Sequence, residues 1–288
     1  MEHLLLKKIL YLFFFLQISC LISCNSLFYY PSHETFVRPE KFNIKYKDYF
    51  FSTKSDVKLN GRVFYHNSAN PYKGLFVLFH GNAQNLSSHW LEFGWVLNRG
   101  FDLFVFDYPG YGKSQGVATR RSTIEGGNAA LKLVSDSMVD KKFSLVLVGA
   151  SLGGAILLQC FPDWQERKTA DLIVAESTFP SYREAARGTL SKNWITWGLQ
   201  PLSYFLITEN GSPKKRIRNI SPTPLLVTTC EEDQVVNPKF GNEIYELALN
   251  PKWIWKNEKC GHIQSFRTMI SQEKLINLID SLKVKHEN

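Results

Sequence analysis

Six apolar runs of strand length punctuate the chain, at residues 74–79, 101–107, 143–148, 171–175, 224–229 and 252–255. Between them, apolar positions recur at helical spacing over 87–98, 122–137, 153–161, 238–249 and 272–282. In the second of these, Ile124, Ala129, Ala130, Leu131, Leu133 and Val134 supply one apolar face. The first is bounded by Ser87 or Ser88 as N-cap and by Gly100 as the C-terminal stop. Apolar strands alternating with helices predict an α/β fold, a mostly parallel sheet with helices on both faces. Two earlier β-like segments, 44–52 and 56–65, carry Asn60-Gly61, a tight-turn signal that predicts a small antiparallel hairpin. Residues 181–218 break the rhythm with Tyr182, Trp194, Trp197, Tyr204 and Phe205, either as a helical cap over a site or as plain packing.

The 288 residues are 44 % hydrophobic and 21 % charged, which is enough for one sizeable core and excludes a disordered chain. The formal charge of +8 is spread along the sequence, so a nucleic-acid partner is not expected. The densest basic cluster, Lys214, Lys215, Arg216 and Arg218, lies between Pro and Gly signals and reads as a solvated loop rather than a phosphate-binding patch.

The N-terminus differs from the rest. Lys7 and Lys8 precede an apolar stretch from residue 9 to 22, too short to span a bilayer comfortably. Residues 1–23 read as a secretory signal peptide, and Leu21-Ile22-Ser23-Cys24 resembles the lipobox of bacterial lipoproteins. That resemblance implies cleavage before Cys24, lipidation of Cys24 and an exported, membrane-anchored protein. An uncleaved anchor helix is the alternative. Residues 24–40 then form an extended tether, with the folded domain at 41–288. Of the remaining cysteines, Cys160, Cys230 and Cys260, an odd count without CxxC spacing offers no metal site. Cys230 and Cys260 are expected as buried free thiols, a bridge between them being the other reading.

The chemistry concentrates at strand ends. Gly149-Ala150-Ser151-Leu152-Gly153 lies directly between a strand and a helix, the context of a G-x-S-x-G nucleophile elbow. A helix N-terminus behind Ser151 would face developing negative charge. His80-Gly81-Asn82 follows the strand at 74–79, and Asp107-Tyr-Pro-Gly-Tyr-Gly-Lys-Ser114 follows the next, with Asp107 and Ser114 expected to hold that turn. Cys230-Glu231-Glu232-Asp233 follows the strand at 224–229, and Cys260-Gly261-His262 lies past the last strand.

With these motifs in this order, the chain resembles the α/β-hydrolases, and its His-Gly-Asn loop is similar to that of Bem46-like and esterase-like members. The resemblance covers roughly residues 40–285. It implies Ser151 as nucleophile, His262 as base and Asp233 as the acid that orients it. The backbone amides of Asn82 and Leu152 would form the oxyanion hole, and His80 would brace the loop. Many members read His-Gly-x-x-Asp where this chain has Cys230-Glu231, which leaves Glu231 and Glu232 as rival acids. The expected activity is acyl-ester or thioester hydrolysis of a small-molecule or lipid-like substrate, without metal or organic cofactor. A peptidase of the same fold and a non-catalytic binding lipoprotein are the alternatives.

Overall fold

The computed structural model of the chain describes residues 28–140, 142–191, 198 and 200–284. The leader, with Cys24, and Trp194 and Trp197 therefore lie outside the described residues. Eight strands form one sheet in the order β1-β2-β4-β3-β5-β6-β7-β8. They are β1 (Tyr46–Ser52), β2 (Lys58–Phe64), β3 (Gly74–Phe79), β4 (Phe101–Phe106), β5 (Ser144–Ala150), β6 (Leu172–Glu176), β7 (Leu225–Cys230) and β8 (Lys252–Asn257). Strands β3 to β8 run parallel and β2 alone runs against its neighbours, pairing antiparallel with β1 and β4.

Strands β3, β5, β6 and β7 are buried on both faces, as their unbroken apolar runs require. Val77 and Phe79 face one layer, with α2 (Arg120–Ser137) and α3 (Leu152–Cys160). Phe76 and Leu78 face the other, with α1 (Leu86–Phe93) and the C-terminal α7 (Met269–Val284). Three further helices stand between β6 and β8: α4 (Tyr182–Leu190), α5 (Leu202–Leu206) and α6 (Lys239–Leu247). The insert at 181–218 thus carries helices in its described part, joined by a loop at 207–212.

Local signals were kept with small displacements. Helix α1 starts two or three residues earlier than its serines suggest, because Asn85 accepts the Ser87 N–H and is the cap. Gly100, at φ 86°, ends the 3₁₀ turn that follows. Helix α2 opens on a capping box of Thr119 and Ser122.

The turn signal at Asn60-Gly61 was misplaced. The hairpin exists, but its turn lies at residues 53–57, with Asp56 at positive φ, and Asn60-Gly61 sits within β2 opposite Phe50 and Tyr49. A Cβ at Gly61 would stand 2.5 Å from the Phe104 ring, so the glycine makes room for an aromatic side chain instead of bending the chain. The basic cluster is also less free than its sequence implies. Lys214 bridges Glu184 and Glu243, and Arg216 pairs with Asp163.

Residues 28–36 are extended, as expected of a tether, but they are bonded along the domain. Tyr29 is buried, the Tyr30 N–H donates to Asn82 Oδ1 (2.8 Å), and Ser32 exchanges backbone bonds with Gln84 and Gly112. Asn85 Nδ2 donates to the carbonyls of Ser32 and Glu34, and the Phe36 N–H to Ser87 Oγ. This segment is a strap over the loop that follows β3.

Candidate active site

All the candidate residues lie at the carboxyl ends of the parallel strands, where the sheet of an open α/β fold presents its loops. Strand β5 leads directly into Ser151, at φ 52° and ψ −120°, the strained backbone expected of an elbow. Two glycines permit the bend. A Cβ on Gly149 would fall 2.5 Å from Gly154 Cα, and one on Gly153 only 1.9 Å from the Phe79 carbonyl oxygen. Ser151 is held from the neighbouring strand as well, since its N–H donates to the Glu176 carbonyl (2.9 Å) and Thr178 Oγ1 donates to its own carbonyl (2.6 Å).

His262 and Asp233 meet. The imidazole Nδ1–H donates to Asp233 Oδ2 at 2.8 Å, and Asp233 Oδ1 accepts the N–H groups of Val235 and Val236 at 2.8 Å each. Burial alone would raise the Asp233 carboxyl, but the His262 bond and these two amides hold it below the usual carboxylate range. Of the three rival acids, Asp233 is the one bonded to the ring. With Nδ1 as donor, Nε2 keeps its lone pair.

Ser151 Oγ and the imidazole are not hydrogen-bonded in this structure. The residue after His262 reaches the serine's surroundings: a methyl placed on Gly81 would lie 3.5 Å from Ile263 and 3.6 Å from Ser151. The Ile263 N–H also points to Ser177 Oγ (3.4 Å), one residue beyond the carbonyl that holds Ser151.

The candidate oxyanion amides are free of protein partners. Neither the Asn82 nor the Leu152 N–H donates to another described residue, and both residues line one cavity with Ser151. The Asn82 side chain explains how its amide is aimed. Its Oδ1 accepts from Tyr30 N, Ala83 N and Tyr111 Oη (2.8, 2.8 and 2.9 Å), which fixes the residue from three sides. His80 behaves as a brace: fully buried, stacked on His89 at 4.8 Å and bonded to the Gly81 carbonyl, with burial lowering its pKa and keeping it neutral. Asp107 accepts the Leu86 N–H (2.7 Å), and Ser114 Oγ donates to the Asp107 carbonyl (2.7 Å).

The cavity encloses about 280 Å³ and is walled by Phe28, Phe179, Ala185, Val235, Val236 and Phe240 beside the polar residues at its floor. Helix α4 of the insert contributes Ala185, Gly188 and Thr189, so the insert walls the site.

Two features were read wrongly or not at all from the sequence. Cys230 and Cys260, expected as free thiols, form a disulfide. Parallel pairing of β7 and β8 sets Cys230 opposite Asn257, which brings the two cysteines, thirty residues apart, within bonding distance. One covalent link therefore joins the Asp233 loop to the His262 loop. Among the described residues, Cys160 is the free cysteine, and it is buried. The second feature is the run Glu176-Ser177-Thr178-Phe179 after β6. Each member touches the site: Glu176 Oε1 accepts the Ser265 N–H (2.9 Å), Ser177 faces Ile263, Thr178 holds the elbow and Phe179 lines the cavity. An acid closing an apolar strand was the available signal.

The Glu176 carboxyl is fully enclosed. Burial pushes it up to about 8, the bonds from Ser265 partly oppose that, and the nearby carboxyls of Glu92 and Asp233 add to it. It is neutral at pH 7 in the folded protein.

With this geometry established, comparison with known proteins identifies the fold's kin. The chain belongs to the alpha/beta hydrolase family, whose profile matches residues 76–268. The uncharacterized protein YfhR of Escherichia coli O157:H7 is 29 % identical over 260 residues, 88 % of this chain and 86 % of that protein. Protein bem46 of Schizosaccharomyces pombe is 27 % identical over 240 residues, 82 % of this chain and 77 % of its own. The esterase Pf2001 of Pyrococcus furiosus superposes with a TM-score of 0.65 at 20 % identity, over 90 % of this chain and 97 % of that one.

Two outcomes are expected. Replacing both Cys230 and Cys260 by Ala releases a loop closed over thirty residues, a loss of about 3–4 kcal/mol in the chain-entropy view, read as a lower unfolding midpoint in denaturant. Glu176 binds a proton in the folded state above the pH at which the unfolded chain has released it, so wild-type stability declines as pH rises from about 4.5 to 8. The variant Glu176→Gln lacks this decline. Thermal melts at pH 5 and pH 8 should show the Gln variant gaining on the wild type at the higher pH; parallel melts would contradict a neutral buried Glu176.

Proposed function

We propose that this member of the alpha/beta hydrolase family is a serine hydrolase of carboxylic esters or thioesters, exported and anchored at a membrane by its N-terminus. The observation that carries the catalytic part is Ser151 on its positive-φ elbow, in one cavity with two free amides, while the loop that carries a carboxylate-bound imidazole passes close by through Ile263. That Pf2001 is an esterase, and that a 26 % identical protein of Mycoplasma pneumoniae is named a putative esterase/lipase, supports the ester reading.

In the proposed reaction, substrate seats its carbonyl oxygen between the N–H groups of Asn82 and Leu152. The Ser151 hydroxyl comes within about 3 Å of His262 Nε2, a contact that free enzymes often leave loose. His262 takes the hydroxyl proton as Ser151 Oγ attacks the carbonyl carbon. Asp233 steadies the imidazolium without becoming protonated itself. The alcohol or thiol leaves with the proton from His262, and the acyl group stays on Ser151. Water then attacks with the same base and returns the free acid and the serine. Each oxyanion donor of this kind contributes about 2.7–4 kcal/mol to lowering the barrier.

The cavity bounds the acyl group. At roughly 30 Å³ for each water-sized unit, its volume takes roughly nine heavy atoms. Gly188 matters here. It lies inside α4, where glycine costs about 1 kcal/mol relative to alanine, and a Cβ there would meet only Phe240 at an ordinary 4.0 Å. No clash demands a glycine, so the open volume itself accounts for it.

The exported location draws on the leader and on the Cys230–Cys260 bridge, which persists in oxidising compartments.

A fluorophosphonate probe should label the folded protein at Ser151, with labelling and ester hydrolysis both abolished in Ser151→Ala; an unlabelled, well-folded wild type would sink the proposal. For the acyl wall, Gly188→Val should lower the octanoate-to-acetate ratio of kcat/KM at least tenfold on p-nitrophenyl esters. An unchanged ratio would remove Gly188 from the pocket's wall.

A further inference from the structure

The start of the described chain and the candidate active site are the same place. Phe28 lines the Ser151 cavity, packs edge-on against Tyr182 at 5.1 Å and approaches Phe179 at 6.5 Å. From there to Phe36 the strap is fixed by the bonds to Asn82, Gln84, Asn85 and Ser87 already described. The position of Phe28 is therefore set by the domain.

Phe28 stands four positions after Cys24 and six after Ile22, the last apolar residue of the leader. A fully extended chain covers at most about 3.6 Å per residue, so Cys24 lies within about 14 Å of Phe28 and Ile22 within about 22 Å. The bound holds for a lipidated Cys24 and for an uncleaved anchor helix alike. A domain of this length is some 40 Å or more across, since its radius of gyration is about 19 Å. An anchor this close to one wall of the cavity leaves the domain little freedom to turn that wall away from the membrane. The rim agrees: Val235 on the cavity wall is apolar yet more than half exposed.

We infer that the chain holds the mouth of the Ser151 cavity against the membrane that anchors it, and that its substrate is an acyl ester resident in that membrane, taken from the lipid phase. The inference rests on the serine-hydrolase reading and on the anchored N-terminus. It goes further in naming where substrate comes from and which face of the molecule meets the bilayer. Acyl chains of a bilayer are the occupant that suits an apolar wall carried on so short a lead. The net charge of +8 favours approach to anionic lipid without selecting a face.

The test separates distance from catalysis. The full chain, and a variant with twenty Gly/Ser residues inserted between Asn25 and Ser26, are reconstituted in phosphatidylcholine–phosphatidylglycerol vesicles. Flotation checks that both are bound. The insert adds a flexible span of about 25 Å, which frees the cavity from the surface while leaving residues 28–36 intact. Two rates are read: hydrolysis of 4-methylumbelliferyl decanoate dissolved in the vesicle, and of p-nitrophenyl acetate in solution. The expected result is a drop of about three- to tenfold on the vesicle ester in the insertion variant, with the soluble rate unchanged within twofold. Equal vesicle rates for the two proteins overturn the inference and leave the hydrolase reading standing. So does failure of the wild type to float or to cleave the vesicle ester while cleaving acetate. Absence of cleavage of either ester by folded wild type overturns the hydrolase reading itself, and this inference with it.

Discussion

The contact on which the site depends is the approach of the turn after β5 to the carbonyl of Phe79 at the end of β3. There is no room at residue 153 for a single carbon, and little at 149. Because these two strands are neighbours in the sheet, the backbone of the Ser151 turn and the backbone of the Gly81-Asn82 loop are pressed together. The positive φ of Ser151 follows from that squeeze, and so does the shared cavity of the two unpaired amides. Strained backbone is tolerated only where surroundings over-determine it. Here Glu176 and Thr178, from the strand on the other side, hold the same residue by its N–H and its carbonyl.

What the sequence made legible were features whose cause is local. Strands buried on both faces must be apolar throughout, and their register along the chain could be read from residues 74–79 or 143–148 alone. The elbow was legible because a turn that tight needs glycines at fixed offsets. The order of Ser151, Asp233 and His262 followed from the fold that the chain resembles. What failed were features whose cause lies across the sheet. Gly61 looks like a turn from its neighbour Asn60, and only the Phe104 ring on the adjacent strand β4 explains it. Cys230 and Cys260 are thirty residues apart, and only the pairing of β7 with β8 puts them together. Glu176 has no sequence context that reveals Ser265 as its partner.

The site uses its acids in opposite ways. Asp233 is buried yet held charged, because an imidazole and two amides surround it. Glu176, deeper and with fewer donors, is held neutral. The depth of the pocket and the number of N–H groups facing each oxygen decide which acid takes which role.

The strap has a practical consequence for where this protein can be cut. Secondary structure starts in earnest near residue 46, and a boundary drawn at 41 would look safe to anyone designing a soluble fragment. Such a fragment keeps the whole sheet and every residue of the Ser151, Asp233 and His262 set. It loses the amide that steadies Asn82 and the ring that closes one side of the cavity. Its rim would sag, and weak activity in such a fragment would be mistaken for a poor choice of substrate.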